Sequence, residues 1–202
     1  MAKLYFKYGA MNSGKTAILL QAVFNYEQRG MKVLVMKPEY DTKGGKYLVS
    51  RVGLKRKIDH LIKKEENIYK TLENKLDDIA CIFIDEAQFL SPKQVDELML
   101  LVVNKNIPVI CYGLRTDFQT KGFVGSPRLL EIAHNIEELK TICKCGKKAI
   151  FNVRKINGKL TFGGEQIAID GENEVSYDSL CPKCYYNKLN KYKKIKDSIN
   201  KK

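Results

Sequence analysis

Residues Gly9-Ala10-Met11-Asn12-Ser13-Gly14-Lys15-Thr16 follow the pattern G-x-x-x-x-G-K-[ST]. The strand-like run Lys3–Tyr8 precedes them and a helical pattern over Gly14–Arg29 follows, which is the context this motif requires. Gly9 and Gly14 let the backbone turn so that successive N–H groups face one cluster of oxygens. The helix start adds the positive end of its dipole. In such a loop Lys15 reaches the β- and γ-phosphates of a nucleotide, and the Thr16 hydroxyl ligates Mg²⁺. A second constellation is the apolar run Cys81-Ile82-Phe83-Ile84, which ends in Asp85-Glu86. Ligands of a doubly wound sheet bind at the carboxyl ends of its strands, so Asp85 is expected beside the phosphate loop. One carboxylate there can hold Mg²⁺, directly or through water, and its neighbour can accept a proton from an attacking hydroxyl. Together these motifs imply a phosphate-loop (P-loop) nucleotide-binding enzyme and leave its acceptor unnamed.

A third group is sulfur. Cys143-Lys144-Cys145-Gly146 and Cys181-Pro182-Lys183-Cys184 form two short hooks, with Cys145 and Cys181 standing 36 positions apart. Four thiolates in this arrangement match a tetrahedral Zn²⁺ site, and a site with four protein ligands is structural because no position stays open. The segment between the hooks cannot bury much surface alone, so the metal supplies folding free energy. A loop tied at its base in this way is a candidate substrate lid. Cys81 and Cys111 sit inside apolar runs and read as small buried hydrophobes.

The elements that must carry these groups are legible from periodicity. Residues 1–138 alternate β-rich runs with helical patterns: strands over Lys3–Tyr8, Lys32–Lys37, Cys81–Ile84 and Ile107–Tyr112. Ala17, Leu20, Val23 and Phe24 share one face of the first helix. Ser91 reads as an N-cap with Pro92 at the first helical position of a helix to about Val103. This β-α-β alternation predicts an α/β fold, a parallel sheet with helices on both faces. From about Leu139 the texture changes to short runs, Ala149–Lys155 and Lys159–Phe162, joined by the hairpin signal Asn157-Gly158.

The 202 residues are 44% hydrophobic and 29% charged, an ordinary globular balance. The net charge is +13, and residues 183–202, with eight Lys and one Asp, account for +7 of it. A run of this kind reads first as a solvated tail and second as a phosphate-backbone contact. No apolar stretch is long enough for a membrane span, and no signal-peptide core is present, so no membrane association and a cytoplasmic setting are expected. Six cysteines in a reducing compartment argue for metal or buried thiols.

In this order the segments resemble the type II thymidine kinases of cells and bacteria, from about Ala2 to Leu189. The resemblance rests on Ala10–Thr16, Asp85-Glu86-Ala87-Gln88-Phe89-Leu90, Cys111-Tyr112-Gly113-Leu114-Arg115-Thr116-Asp117-Phe118, Leu139–Gly146, and Tyr177 before Cys181. It implies a P-loop, RecA-like core over 1–138, a small zinc-binding β domain with a lasso loop over 139–190, and a basic flexible tail over 191–202. It further implies ATP as phosphate donor, Mg²⁺, a structural Zn²⁺ on Cys143, Cys145, Cys181 and Cys184, thymidine or deoxyuridine as acceptor, no nucleic-acid partner, and a homotetramer. Glu86 matches the catalytic base and Asp85 the carboxylate near Mg²⁺. The segment Asp85, Glu86, Ala87 and Gln88 joins residues 9–16 in the ATP site. Met11, Leu114, Phe118 and Phe123 match residues enclosing the thymine ring, although Phe118 and Phe123 by themselves read as core packing. The lasso corresponds to Gln166, Ile167, Ala168, Ile169, Asp170 and Gly171, followed by Tyr177, and its backbone groups can read a pyrimidine edge. Arg51 or Arg154 is expected to supply positive charge to the transferring group. Two departures from the family pattern are Asp170-Gly171 in place of Gly-Gly and Cys184 where bacterial members often carry His. A P-loop ATPase gripping nucleic acid through its zinc hook and basic tail is the rival reading, and a non-catalytic nucleotide sensor a weaker one.

Overall fold

A computed structural model describes residues 1–40, 45–166 and 174–199. The chain divides into two compact units. The first comprises residues 1–8, 14–115 and 123–139; the second comprises 9–13, 116–122 and the described residues from 140 onward.

The first unit contains β1 (Leu4–Tyr8), α1 (Lys15–Glu27), β2 (Lys32–Pro38), the short hairpin β3 (Tyr47–Val49) and β4 (Lys55–Lys57), β5 (His60–Ile62) and α2 (Ile68–Leu72). It continues with β6 (Ile79–Ile84), a 3₁₀ turn over Ala87–Phe89, α3 (Pro92–Lys105), β7 (Val109–Gly113), α4 (Gly125–Ile132) and β8 (Asn135–Glu138). Among the described residues six strands form one sheet in the order β5-β2-β6-β7-β1-β8. Every pairing in it is parallel.

Alternation along these strands loads both faces, as the period of two requires. Leu4, Phe6, Met36, Ile82, Ile84, Val109 and Cys111 pack with Ile68 and Leu72 of α2, Leu98 and Leu101 of α3, and Leu129 of α4. Val33, Val35, Cys81, Phe83 and Tyr112 pack with Leu19, Leu20 and Val23 of α1. The doubly covered parallel sheet expected from the sequence is therefore the fold. Cys81 and Cys111 are fully buried, and burial drives both thiols upward, Cys81 to about 12. The apolar face of α1 differs in one respect. Its buried residues are Lys15, Leu19, Leu20 and Val23, whereas Phe24 is 58% exposed. The buried stripe is centred on Leu19 and Val23, one turn apart, and Phe24 lies about 100° further round.

Sequence signals at α3 act as read. Ser91 accepts a hydrogen bond from the Gln94 N–H at 3.2 Å, and the Gln94 side chain accepts one from the Ser91 N–H at 3.0 Å. This closes a capping box ahead of Pro92. Gln94 Nε2 also donates to Lys63 O at 2.9 Å and Glu66 O at 3.2 Å, tying the loop before α2 to the start of α3.

The second unit contains β9 (Thr141–Ile142), β10 (Lys148–Ala149), β11 (Phe151–Ile156), β12 (Lys159–Thr161), β13 (Val175–Leu180) and α5 (Pro182–Ile199). β11 is the centre of an antiparallel sheet, paired with β12 and β13. The β11–β12 turn has positive φ at Asn157 (49°) and Gly158 (74°), the conformation an Asn-Gly hairpin favours. A small core of Cys143, Ala149, Val153, Leu180, Cys181 and Tyr185 fills this unit. Residues 191–199, read from sequence as a tail, continue α5, and Tyr192 packs on Phe162 with ring centroids 5.4 Å apart. No helix of the described residues is long and apolar enough to cross a membrane.

Leu98 is fully buried in the larger core, while Ser91 acts only at a helix end. Leu98→Ala is expected to cost about 2–5 kcal/mol and Ser91→Ala about 1 kcal/mol. Chemical denaturation of the two variants against the parent checks both the order and the gap.

Candidate active site

In the first unit, Gly14 takes φ +76° immediately before α1 begins at Lys15. That conformation is open to glycine at little cost, and it turns the chain from loop to helix in one residue. β6 ends at Ile84 and delivers Asp85, which is 2% exposed. Because β1 and β6 are parallel and separated only by β7, their carboxyl ends lie on the same edge of the sheet. The Thr16 hydroxyl donates to Asp85 Oδ2 at 2.8 Å, and the Glu86 N–H donates to Asp85 Oδ1 at 3.0 Å. Lys15, itself buried, feels the negative charges of Glu86 and Asp85 and the positive charge of Arg51. The sequence expectation that the loop lysine, the loop threonine and the acid pair converge is what this unit shows.

The electrostatics of this corner are those of a site built for charged ligands. Burial is the largest influence on Lys15 and lowers its pKa, opposed by Glu86 and Asp85. Burial first, and the Glu86 charge second, push the Asp85 carboxyl up from 3.8 to about 7. A carboxylate so destabilised by desolvation gains most from a cation beside it. The Asp85 and Thr16 oxygens form the hard donor set that suits Mg²⁺. Glu86 is half-buried and holds a left-handed backbone (φ 52°) that non-glycine residues seldom adopt.

The turn after Glu86 is tightly held. Gln88 is fully buried; its Oε1 accepts from the Leu114 N–H at 3.0 Å and its Nε2 donates to Glu86 Oε2 at 2.5 Å. Two glycines admit the turn. A Cβ at Gly113 would lie 2.8 Å from Gln88 Oε1, and one at Gly125 would lie 2.6 Å from Leu90 O and 2.8 Å from Ala87 O. Leu114 O in turn accepts from the buried Ser126 hydroxyl at 2.6 Å. Phe123 is buried against Phe89 in an edge-on pair with centroids 5.6 Å apart, and Phe89 also meets Tyr40. Leu114 and Phe123 therefore flank the acid-bearing turn.

The remaining nucleoside candidates fall in the second unit. Buried Asn152 accepts from the Met11 N–H and donates to Thr116 O, both at 2.8 Å. It thus joins phosphate-loop backbone to the start of the 116–122 turn. Phe118 is buried, its carbonyl accepts from the Tyr185 hydroxyl at 2.8 Å, and the Arg154 guanidinium lies 3.9 Å from its ring centre. Asp117 Oδ1 accepts from the Gln119 and Lys121 N–H groups, and Asp117 Oδ2 accepts from Gln166 Nε2 at 3.0 Å. Tyr177 pairs in register with Arg154 across β13 and β11. Ile167, Ala168, Ile169, Asp170 and Gly171 lie outside the described residues.

Arg154 donates to Glu165 O and Gly163 O, both at 2.7 Å, so its terminal nitrogens are committed to backbone carbonyls. Of the two arginines expected to supply charge, Arg51 is the one that acts on Lys15. Asn152, Tyr185 and the fastening role of Arg154 were not foreseen from sequence. A lone Asn or Arg within a strand carries no local signal of what it bridges. The turn around Asp117 did carry one, since Asp commonly accepts from N–H groups just ahead of it.

Cys143, Cys145, Cys181 and Cys184 come together in the second unit, their sulfurs all within 4.8 Å of one another. The Cys145 and Cys181 sulfurs are 3.5 Å apart. Tetrahedral zinc with Zn–S of about 2.3 Å needs sulfur separations of about 3.8 Å, so the all-sulfur set is compatible with that ion.

Comparison with known proteins agrees with this geometry. The family profile described as thymidine kinase matches residues 2–185. The thymidine kinase of Enterobacteria phage T4 is 47% identical over 196 residues, which cover 95% of this chain and 98% of that one. That of Shewanella oneidensis is 46% identical over 187 residues, covering 91% and 96%, and that of Ruegeria pomeroyi is 43% identical over 187, covering 91% and 93%. Among solved structures, a Candida albicans Pif1 helicase aligns with a TM-score of 0.43 at 16% identity, covering 70% of this chain and 36% of that one. That likeness is too distant to bear on function. The chain belongs to the thymidine kinase family.

Proposed function

We propose that this protein transfers the γ-phosphate of ATP to the 5′-hydroxyl of thymidine or deoxyuridine. The observation that carries the reading is the convergence of Lys15, Thr16, Asp85 and Glu86 in one desolvated corner of a thymidine kinase family chain. Residues 9–16 and the segment 85–88 bind the donor. Lys15 meets the β- and γ-phosphates, and Arg51 adds positive charge. When bound through Thr16 and Asp85, Mg²⁺ neutralises phosphate charge. Glu86 takes the proton of the 5′-hydroxyl as its oxygen bonds to the γ-phosphorus, and the bond from that phosphorus to the ADP oxygen breaks in line. Catalysis is chiefly positioning and charge stabilisation.

Met11, Leu114, Phe118 and Phe123 enclose the pyrimidine in this reading, and Gln166 to Asp170 with Tyr177 read its edge. Arg154 stacks on the buried Phe118 ring, which holds that side chain in place. Zinc on the four sulfurs is structural and closes the second unit; the lid role of residues 139–190 belongs to the same proposal. So do a core over 1–138, a basic tail over 191–202 that binds no nucleic acid, a homotetramer and a cytoplasmic setting.

Glu86→Gln should lower kcat by roughly 10²–10⁴-fold while the Kd for ATP stays within about twofold; turnover near that of the parent sinks the base assignment. The Asp85 shift has its own signature. The unfolded carboxyl releases its proton near 3.8 and the folded one near 7. The resulting stability is present below about pH 4 and lost as pH rises through 7. Without divalent cations, Asp85→Asn should therefore melt close to the parent near pH 4 and increasingly above it toward pH 8, and parallel melting curves across that range contradict the shift. Cys181→Ser should remove the bound zinc, lower the melting temperature and abolish turnover, with metal content read by mass spectrometry. A metal-free parent of unchanged stability rules the metal role out.

A further inference from the structure

The acid-bearing turn contains a side chain whose own hydrogen bonds the donor-binding reading of segment 85–88 leaves unexplained. Gln88 is fully buried, and each end of its amide has a partner. The Leu114 N–H can only donate, so it fixes which end of the amide is the oxygen. The nitrogen must then face Glu86, and it donates to Glu86 Oε2. That leaves the second carboxylate oxygen of Glu86 as the one to receive a proton. Glu86 needs such a brace, because it is half-buried and its left-handed backbone is strained. Its N–H is held by Asp85 and its carbonyl by the Phe89 N–H at 3.1 Å. Gln88 supplies the corresponding hold on the side chain.

We infer that Gln88 is a positioning residue that fixes the Glu86 carboxylate and links it to Leu114, a wall of the nucleoside pocket. The inference rests on the reading of Glu86 as general base and of Leu114 as a pocket residue. The chain of contacts is continuous: Ser126 hydroxyl to Leu114 O, Leu114 N–H to Gln88, Gln88 to Glu86. Gly113 makes room for it, since a Cβ there would press on both Gln88 Oε1 (2.8 Å) and the Gln88 backbone nitrogen (3.1 Å). This role differs from donor binding, in which loss of the Gln88 amide would weaken the hold on ATP.

The test compares Gln88→Leu, Gly113→Ala, their double variant and Glu86→Gln, each assayed for kcat, for KM with MgATP and with thymidine, and for melting temperature. Gln88→Leu keeps the bulk and deletes the amide; Gly113→Ala keeps the amide and displaces it. Each single variant is expected to lower kcat by roughly 10–100-fold, the loss typical of a group misplaced by about an ångström. KM for MgATP should stay within about twofold. If both act through the same contact, the double variant is no worse than the more damaged single one. A kcat within about twofold of the parent in folded Gln88→Leu overturns the inference, as does a loss that falls on KM for MgATP. Should Gln88→Leu fail to fold, Gly113→Ala decides by the same criteria. An active Glu86→Gln would instead refute the base assignment, so the two failures are told apart.

Discussion

Asp85, Glu86 and Lys15 share a corner from which water is largely excluded, and charge without solvent is the constraint that organises the first unit. Desolvation pushes Lys15 toward neutrality and Asp85 toward protonation, while their opposite signs pull the other way. Burial of this kind disfavours the charged form of each group, and a neighbouring opposite charge favours it. Thr16 and the Glu86 N–H hold the Asp85 oxygens.

Holding those groups in place is the work of the sheet and of two glycines. The parallel order brings the ends of β1 and β6 to one edge, and side chains on both faces lock the strands between α1 and the α2–α4 layer. At the turn after Glu86, backbone closes on backbone at Gly125, and the Gln88 amide fits against Gly113. Packing of that closeness cannot relax a small intrusion without moving the acid turn itself. A left-handed Glu86 survives because its surroundings overdetermine it.

The second unit is built by other means. Its apolar core is small and includes two of the four metal-competent cysteines. Buried polar side chains do the rest of the fastening. Asn152 joins Met11 to Thr116, Asp117 organises its own turn and receives Gln166, and Arg154 spans two carbonyls while covering Phe118. Most of these groups have their hydrogen-bonding capacity met, as burial demands; Arg154 Nε is an exception among the described residues.

Local and chemical content is legible in the chain before it folds: the phosphate loop, the acid pair at a strand end, the capped start of α3, the Asn-Gly hairpin and the paired sulfur hooks. Each is set by neighbours a few residues away, through backbone conformation, periodicity or ligand spacing, and so can be read without a fold. The family followed from the order of those segments. Folding alone settles that Leu19 replaces Phe24 on the buried face of α1, that Arg154 fastens the backbone of Gly163 and Glu165, and that Gln88 spans from Leu114 to Glu86. Those outcomes depend on partners 9 to 36 residues away or on the curvature of a packed face. No local pattern encodes them, because a hydrogen bond between distant residues exists only once the core has brought both ends together.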